Sequence, residues 1–372
     1  MPKLIYANTK DSNMFYAVRS GIGEPFFFID TGQKQFAFLD ILEYEVFREK
    51  NKNIKLEPVL INKFYKEIEG IKDKTSFANK LAFVLLSEYG LAKKVLEVPS
   101  SFPVAMADYL RLKSVSLVPI SPFWPERAVK TKDEVDAIKK SLEVVRKAFL
   151  LVEEMLQDSV VEGDFIKYRK EILTSEFMKK RVEEFVFENN MLSTDGLIIS
   201  TGNQTAFPHH QGSGPILANR PIVCDIFSKS RDTGYFADMT RTYVKGVPSK
   251  DVEKMHATVL AAQELIIKSV RPGMPGKELT AIGLKFFKAS GYETEENKGF
   301  IHSAGHGLGL DVHEFPAMGI KSKDILKHGH VITIEPGLYY PEKDGVRIED
   351  MVLITENGAE NLTNFQKEKY IF

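Results

Sequence analysis

From Thr131 onward apolar residues return every third or fourth position, at Val135, Ile138, Leu142, Val145, Phe149, Val152 and Leu156, the spacing of one helical face. Thr131 and Glu134 stand three apart ahead of that face, as a capping box requires. The pattern predicts a helix over 131–157, and further helices over 164–189, 249–271 and 276–290, with strand-like runs after each helical pair. Earlier in the chain, "FFFID" and "FAFLD" alternate with the helical "FANKLAFVLLSEYG", which reads as a small α/β domain. The seam is "SPFWPERAVKTKDE", where prolines and the single tryptophan, Trp124, precede the strong helix start. The expected domains are therefore 1–124 and 125–372, the second an α+β unit with helices packed outside a curved sheet.

Composition narrows the chemistry. The 50 Lys and Arg against 51 Asp and Glu leave a net charge of -1, so no overall basic field draws in nucleic acid. The longest wholly apolar run, Leu81 to Leu86, is far short of the roughly 20 residues needed to cross a bilayer. The N-terminal "MPKLIYANTK" has no signal-peptide core, so a cytoplasmic protein with no membrane partner is expected. One cysteine, Cys224, excludes an internal disulfide and a thiolate cluster. Any metal would be bound by oxygen and imidazole.

Two hairpins carry paired acids. In "PIVCDIFSKSRDTGYFADMTRTYV", opposing Lys229 with Gly234 across the turn-like "SRDT" sets Phe227 against Phe236 and Asp225 against Asp238. In "HVITIEPGLYYPEKDGVRIEDMVLI", opposing Tyr339 with Gly345 sets Gly337 against Arg347 and Glu335 against Glu349. Directly opposed side chains share a face, and two carboxylates so placed repel unless a cation lies between them or one holds a proton. A one-residue slip would turn one acid of each pair away. Four carboxylates and one imidazole, the latter from the trio in "HSAGHGLGLDVHEFP", suit two divalent cations. An oxygen-rich set with a single nitrogen favours Mn²⁺ and tolerates Co²⁺, Zn²⁺ or Fe²⁺.

These motifs resemble the pita-bread metallopeptidases: prolidase (Xaa-Pro dipeptidase), Xaa-Pro aminopeptidase and, more remotely, methionine aminopeptidase. The likeness covers roughly residues 130–370, and the first part looks like a creatinase/prolidase-type N-terminal domain. It implies metal ligands at Asp225, Asp238, His306, Glu335 and Glu349, carried by "ADMTRT", "GHGLGLDVHE", "IEPGLY" and "GVRIED". Phe227 stands where many members have glycine, and Asp232 at the loop tip is the alternative first ligand. The resemblance further implies that His313 stabilises charge on the scissile carbonyl and that Glu335 is the general base. It places His302, His209 in "TAFPHHQG" and Arg347 on the substrate side, with His210 a competitor to His209. The implied substrate is a proline-containing peptide, cut as a dipeptide or at the N-terminus of a longer chain, by a homodimer.

Two rival readings share this fold: a non-catalytic peptide- or protein-binding relative, and a metal-free creatinase-like amidinohydrolase. Cys224 is expected in the core, on the strand face opposite Asp225. Asp350, beside Glu349, is expected to point to the other face and pack structurally. His256, His328 and His330 are expected to be solvated or capping.

Overall fold

The computed structural model describes residues 1–51 and 55–372. They form two compact units, Met1–Pro125 and Glu126–Phe372. The first unit runs β1 (Lys3–Ala7), α1 (Ser12–Val18), β2 (Phe26–Asp30), β3 (Gln35–Leu39), α2 (Ile41–Lys50), β4 (Leu56–Leu60), α3 (Tyr65–Gly70), α4 (Phe77–Glu88), β5 (Val95–Pro99), α5 (Val104–Leu112) and β6 (Ser116–Ile120). Its six strands lie in the order β4-β3-β2-β1-β5-β6. Each face of that sheet is apolar. Leu4, Phe27, Phe38 and Leu96 pack under α4 and α5 on one side, while Ile5, Phe28, Met14 and Trp124 fill the other.

The second unit begins with α6 (Lys132–Gln157), capped as its sequence predicts: Thr131 accepts from the Glu134 N–H, and the Glu134 carboxylate accepts from that of Thr131. All seven apolar positions of its predicted stripe are buried, at roughly 1.5–3 kcal/mol for each large side chain. There follow β7 (Val160–Glu162), β8 (Phe165–Tyr168), β9 (Glu171–Ile172), α7 (Ser175–Glu188), β10 (Met191–Leu192), β11 (Ile198–Thr201), β12 (Pro221–Ser230), β13 (Phe236–Val244), α8 (Lys250–Ser269) and α9 (Lys277–Ala289). The chain ends with β14 (His306–Gly307), β15 (Glu314–Ala317), β16 (Val331–Ile334), β17 (Gly337–Tyr339), β18 (Gly345–Arg347), β19 (Asp350–Thr355) and β20 (Gly358–Asn361). The helix expected from 164 is thus a three-stranded meander followed by a shorter helix. Arg169 and Lys170 at φ +50° and +72° break any helix there, and Ile166 and Tyr168 alternate into the core between more exposed neighbours. Thr174 then caps α7 through the Phe177 N–H.

Two sheets hold the candidate chemistry. In one, β12 is flanked by β13 on one edge and by β10 and β11 on the other. The second runs β15-β14-β16-β19-β20. They meet where the N–H of Glu349, just before β19, donates to the Thr240 carbonyl at 3.0 Å, and the separate β17-β18 pair joins the first sheet where the Thr242 hydroxyl donates to the Arg347 carbonyl at 2.8 Å. Behind that seam Asp350, fully buried, accepts from Arg241, Asn361 and Lys367, as its outward place on the strand predicts.

The expectation for one histidine fails here. His256 is buried and stacks on Tyr370, ring centroids 3.7 Å apart, because the last residues fold back along Val244. His330, though buried, caps its turn as expected by accepting from the Lys327 N–H at 3.2 Å, and His328 stays exposed. Burial first, and the Arg241 charge second, push His256 down to about 4. A histidine held neutral by the fold contributes stability that is complete above pH 6.5 and lost as pH falls toward 4. His256→Phe, which keeps the stacking and removes the proton site, is therefore expected to gain stability relative to the parent between pH 6.5 and 4.5, by about 1–3 kcal/mol at the acid end. Urea unfolding at several pH values would read it, and parallel curves would refute it.

Candidate metal and substrate site

Each hairpin was predicted to bring its acids face to face. The second does so: Gly337 opposes Arg347 and Tyr339 opposes Gly345, and Ile334 opposes Asp350 in the same register. Glu335 and Glu349 fall in the gap between those two ladders. The first hairpin differs by two residues. Lys229 opposes Phe236, Phe227 opposes Asp238, and Asp225 opposes Thr240. The turn is longer because Ser230 closes it, accepting from Gly234 through its carbonyl and from Thr233 through its hydroxyl. A shift of two preserves the face, so Asp225 and Asp238 become diagonal neighbours on one side of the sheet. Asp232 is exposed in that turn, away from the cluster. Cys224 alternates away from Asp225 into the core, as expected.

All nine candidate residues line one cleft of about 520 Å³: Asp225, Asp238, His306, Glu335, Glu349, His209, His302, His313 and Arg347. Ligand atoms of Asp238, His306 and Glu349 all lie within 4.8 Å of one another. The His306 Nε2 is 3.4 Å from Glu335 Oε1 and 3.8 Å from Asp238 Oδ2. Its Nδ1 lies 3.1 Å from the Gly307 carbonyl, which keeps the proton on that nitrogen and aims the Nε2 lone pair at the carboxylates. Burial, with the His313 charge adding, pushes His306 down to about 3. A neutral imidazole then faces carboxylate oxygens, acceptor against acceptor, which a cation between them would reconcile.

The acids show the same need. Burial, with Glu349, Asp225 and Glu335 adding, pushes Asp238 well up, and Glu349 rises for the same reasons. Burial lifts Glu335 to about 7 against the pull of Arg347. Asp225 Oδ1 and Asp238 Oδ1 are buried with no hydrogen-bond partner. Orphaned carboxylate oxygens in a cluster of four acids and one imidazole fit divalent cations, and the five residues could hold them.

A second network borders the cluster. Arg347 donates to Asp225 Oδ2 at 2.8 Å, to the Tyr339 hydroxyl at 3.0 Å and to Thr240 Oγ1 at 3.2 Å. The Tyr339 hydroxyl lies 2.9 Å from His302 Nε2, and His302 Nδ1 lies 2.8 Å from the Ser303 carbonyl. With its proton on Nδ1, His302 accepts from Tyr339, which in turn accepts from Arg347. Burial and the Arg347 charge push His302 down to about 4 and keep it in that neutral form. Gly337 makes this possible, since a Cβ there would fall on the Tyr339 hydroxyl. His209 is exposed at the cleft, and the adjacent His210 instead accepts from the Gly212 N–H at 3.0 Å. His313 packs edge-on against His306, centroids 4.2 Å apart.

Sequence reasoning missed Tyr339 and Thr240, whose hydroxyl donates to Glu349 Oε2 at 2.8 Å. The signal was present. Thr240 stands two after Asp238, and Tyr339 four after Glu335, so strand alternation puts each on the acid-bearing face.

Residues 136–356 match the family described as Metallopeptidase family M24. The chain is 32% identical over 365 residues to the Xaa-Pro dipeptidase of Pyrococcus furiosus, covering 96% of this chain and 93% of that protein. It is 31% identical to the Xaa-Pro dipeptidase of Pyrococcus horikoshii, covering 96% and 92%. Among solved structures, the prolidase from Pyrococcus furiosus superposes with a TM-score of 0.78 at 28% identity, covering 98% of this chain and 97% of that one. The X-Pro aminopeptidase from Thermotoga maritima shares the fold, with a TM-score of 0.78 at 23% identity over 100% and 97% of the two chains. The architecture is thus the pita-bread fold behind an N-terminal domain. Two buried acid pairs meeting one neutral imidazole, in a chain matched along nearly its whole length, place this protein in metallopeptidase family M24.

Proposed function

We propose that this enzyme hydrolyses the bond between an N-terminal residue and a following proline, using two divalent metal ions, Mn²⁺ foremost. The observation that carries the reading is the convergence of Asp238, His306 and Glu349 within 4.8 Å, with Glu335 beside His306 and Asp225 on the same strand face. All five proposed ligands are retained in one cleft, which favours a hydrolase over a ligand-free binding protein or a metal-free amidinohydrolase. The relatives named as Xaa-Pro dipeptidases support the proline specificity. The reading includes a homodimer, as the sequence resemblance implies, and a cytoplasmic location. No helix of the described residues is long and apolar enough to cross a membrane.

Bound to Asp225, Asp238, His306, Glu335 and Glu349, the cations would acidify water and polarise the scissile carbonyl. Glu335 accepts the proton of the attacking water and returns it to the proline nitrogen as that bond breaks. His313 donates to the carbonyl oxygen as it gains charge. Arg347 holds Asp225 by one guanidinium nitrogen, so that carboxylate keeps one oxygen for the cluster. His209 and His302 border the substrate within the same cleft. A proline ring has no amide N–H to satisfy, and a cleft edged by imidazole rings and by Ile198, Pro208 and Phe227 can accept it without supplying an acceptor.

The test pairs two substrates. Chelated protein is given an Xaa-Pro dipeptide or an Xaa-Pro-Yaa tripeptide, each with and without added Mn²⁺. Metal-dependent release of the first residue is expected. Cleavage of the dipeptide alone would define a prolidase and cleavage of the longer peptide an aminopeptidase, whereas release from neither under reconstitution would overturn the proposal.

A further inference from the structure

Directly after His313 stands a carboxylate that the chemistry above does not use. Glu314 is enclosed, its side chain 8% exposed, and both of its oxygens are taken: Oε1 by Lys130 Nζ at 2.6 Å, Oε2 by Arg127 at 2.7 Å. The same Arg127 nitrogen donates to Asp311 Oδ2 at 2.9 Å. Lys130 and Arg127 are themselves 1% and 10% exposed in their side chains. Two cations thus meet two carboxylates, most of it out of water. A Cβ on Gly309 would fall on the Glu314 carboxylate, so the loop is built around it.

The loop in question joins β14 to β15, with His306 at one end and His313 at the other. Its first half is pinned by neighbouring strands: the Leu308 N–H donates to the Val331 carbonyl at 3.1 Å, and the Phe236 N–H to the Gly309 carbonyl at 2.8 Å. Its second half, Asp311 to Glu314, is held by the ion cluster. The exposed His313 ring has His306 as its aromatic neighbour, so its position follows its backbone. A buried ion cluster returns little net stability over an apolar one of the same shape. What it does supply is direction, because both oxygens of one carboxylate are fixed by two differently anchored cations.

We propose that Arg127 and Lys130, acting through Glu314 and Asp311, are positioning residues that hold the His313 imidazole at the height where it meets the scissile carbonyl. This rests on the reading of His313 as a substrate-contacting group. A misplacement of about 1 Å at such a group can cost about 100-fold in rate, so loosening the cluster should tell on kcat more than on KM.

The experiment is a double-mutant cycle on the metal-loaded enzyme with an Xaa-Pro dipeptide: parent, R127Q, H313A and R127Q/H313A, each with metal content and Tm recorded. R127Q is expected to lower kcat about 10–100-fold with KM within about threefold and metal content unchanged. In the H313A background the same substitution should cost less than about twofold, and R127K should recover most of the loss. Should R127Q fold poorly, Glu314→Gln carries the same cycle. Equal losses in both backgrounds, or an unimpaired R127Q, would overturn the positioning role while leaving His313 in place. An H313A enzyme as active as the parent would instead remove the His313 assignment and the proposal with it.

Discussion

Glu335→Gln is expected to lower kcat by about 10³-fold or more, while KM for an Xaa-Pro dipeptide stays within about fivefold. Among the four clustered acids Glu335 is the most exposed, its side chain 17% accessible against 12% for Asp225 and 6% for Asp238, so its carboxylate is the best placed to reach water in the cleft. Its backbone is fixed by the Ala304 carbonyl at 2.8 Å, and its side chain sits 3.4 Å from His306 Nε2. Glutamine keeps the length and the oxygen, and removes the ability to take a proton from water and deliver it to the leaving nitrogen. Loss of the proton shuttle accounts for about 10²–10⁴ in rate. Loss of one of four negative charges weakens metal binding in addition. Metal content measured alongside kcat separates the two: a variant that retains two ions per chain and is still inactive has lost the base. Turnover within about threefold of the parent would take the general-base role away from Glu335.

What the sequence made legible was the part governed by local periodicity. The α6 stripe, its capping box, and the second hairpin's register all follow from spacings of two, three or four residues, and all are found. The first hairpin shows the limit. Its parity was readable because a buried acid must share a face with its partner, but the two-residue offset depends on how Ser230 closes the turn, which alternation cannot see. The 164–189 segment failed for a related reason. Ile166 and Tyr168 fit either period, and only the left-handed backbone at Arg169 and Lys170 decides for strands. His256 was misjudged because its cover, Tyr370, comes from the far end of the chain. Tyr339 and Thr240 were overlooked although alternation places them beside the acids, because a hydroxyl gains a role there only once Arg347 and Glu349 are known to face it.

Asp238→Asn separates function from stability and carries opposite signs for the two. Activity is expected to fall by about 10³-fold or more, since Asp238 belongs to the tightest ligand group, with His306 and Glu349, and neutral amide oxygen is a far weaker ligand than carboxylate. The metal-free protein should behave in the other direction. Asp238 is 4% exposed, its Oδ1 has no hydrogen-bond partner, and Glu349, Asp225 and Glu335 press its proton affinity well above the usual carboxylate range. A carboxyl raised in the folded state favours folding fully only below its unfolded pKa near 4. That advantage is lost as pH rises toward the folded value, at about 1.4 kcal/mol per pH unit between the two. Asparagine mimics the protonated acid at every pH, so the chelated variant should match the chelated parent near pH 4.5 and exceed its Tm by about 2–8 °C at pH 8. Added Mn²⁺ should raise the parent's Tm, because a ligand bound only by the folded state stabilises it, and leave the variant nearly unmoved. Thermal scans of both proteins at the two pH values, with and without metal, read all of this. A chelated variant less stable than its parent at pH 8 would mean that Asp238 is held as a structural ion pair, and the acid cluster would no longer require a cation to explain it.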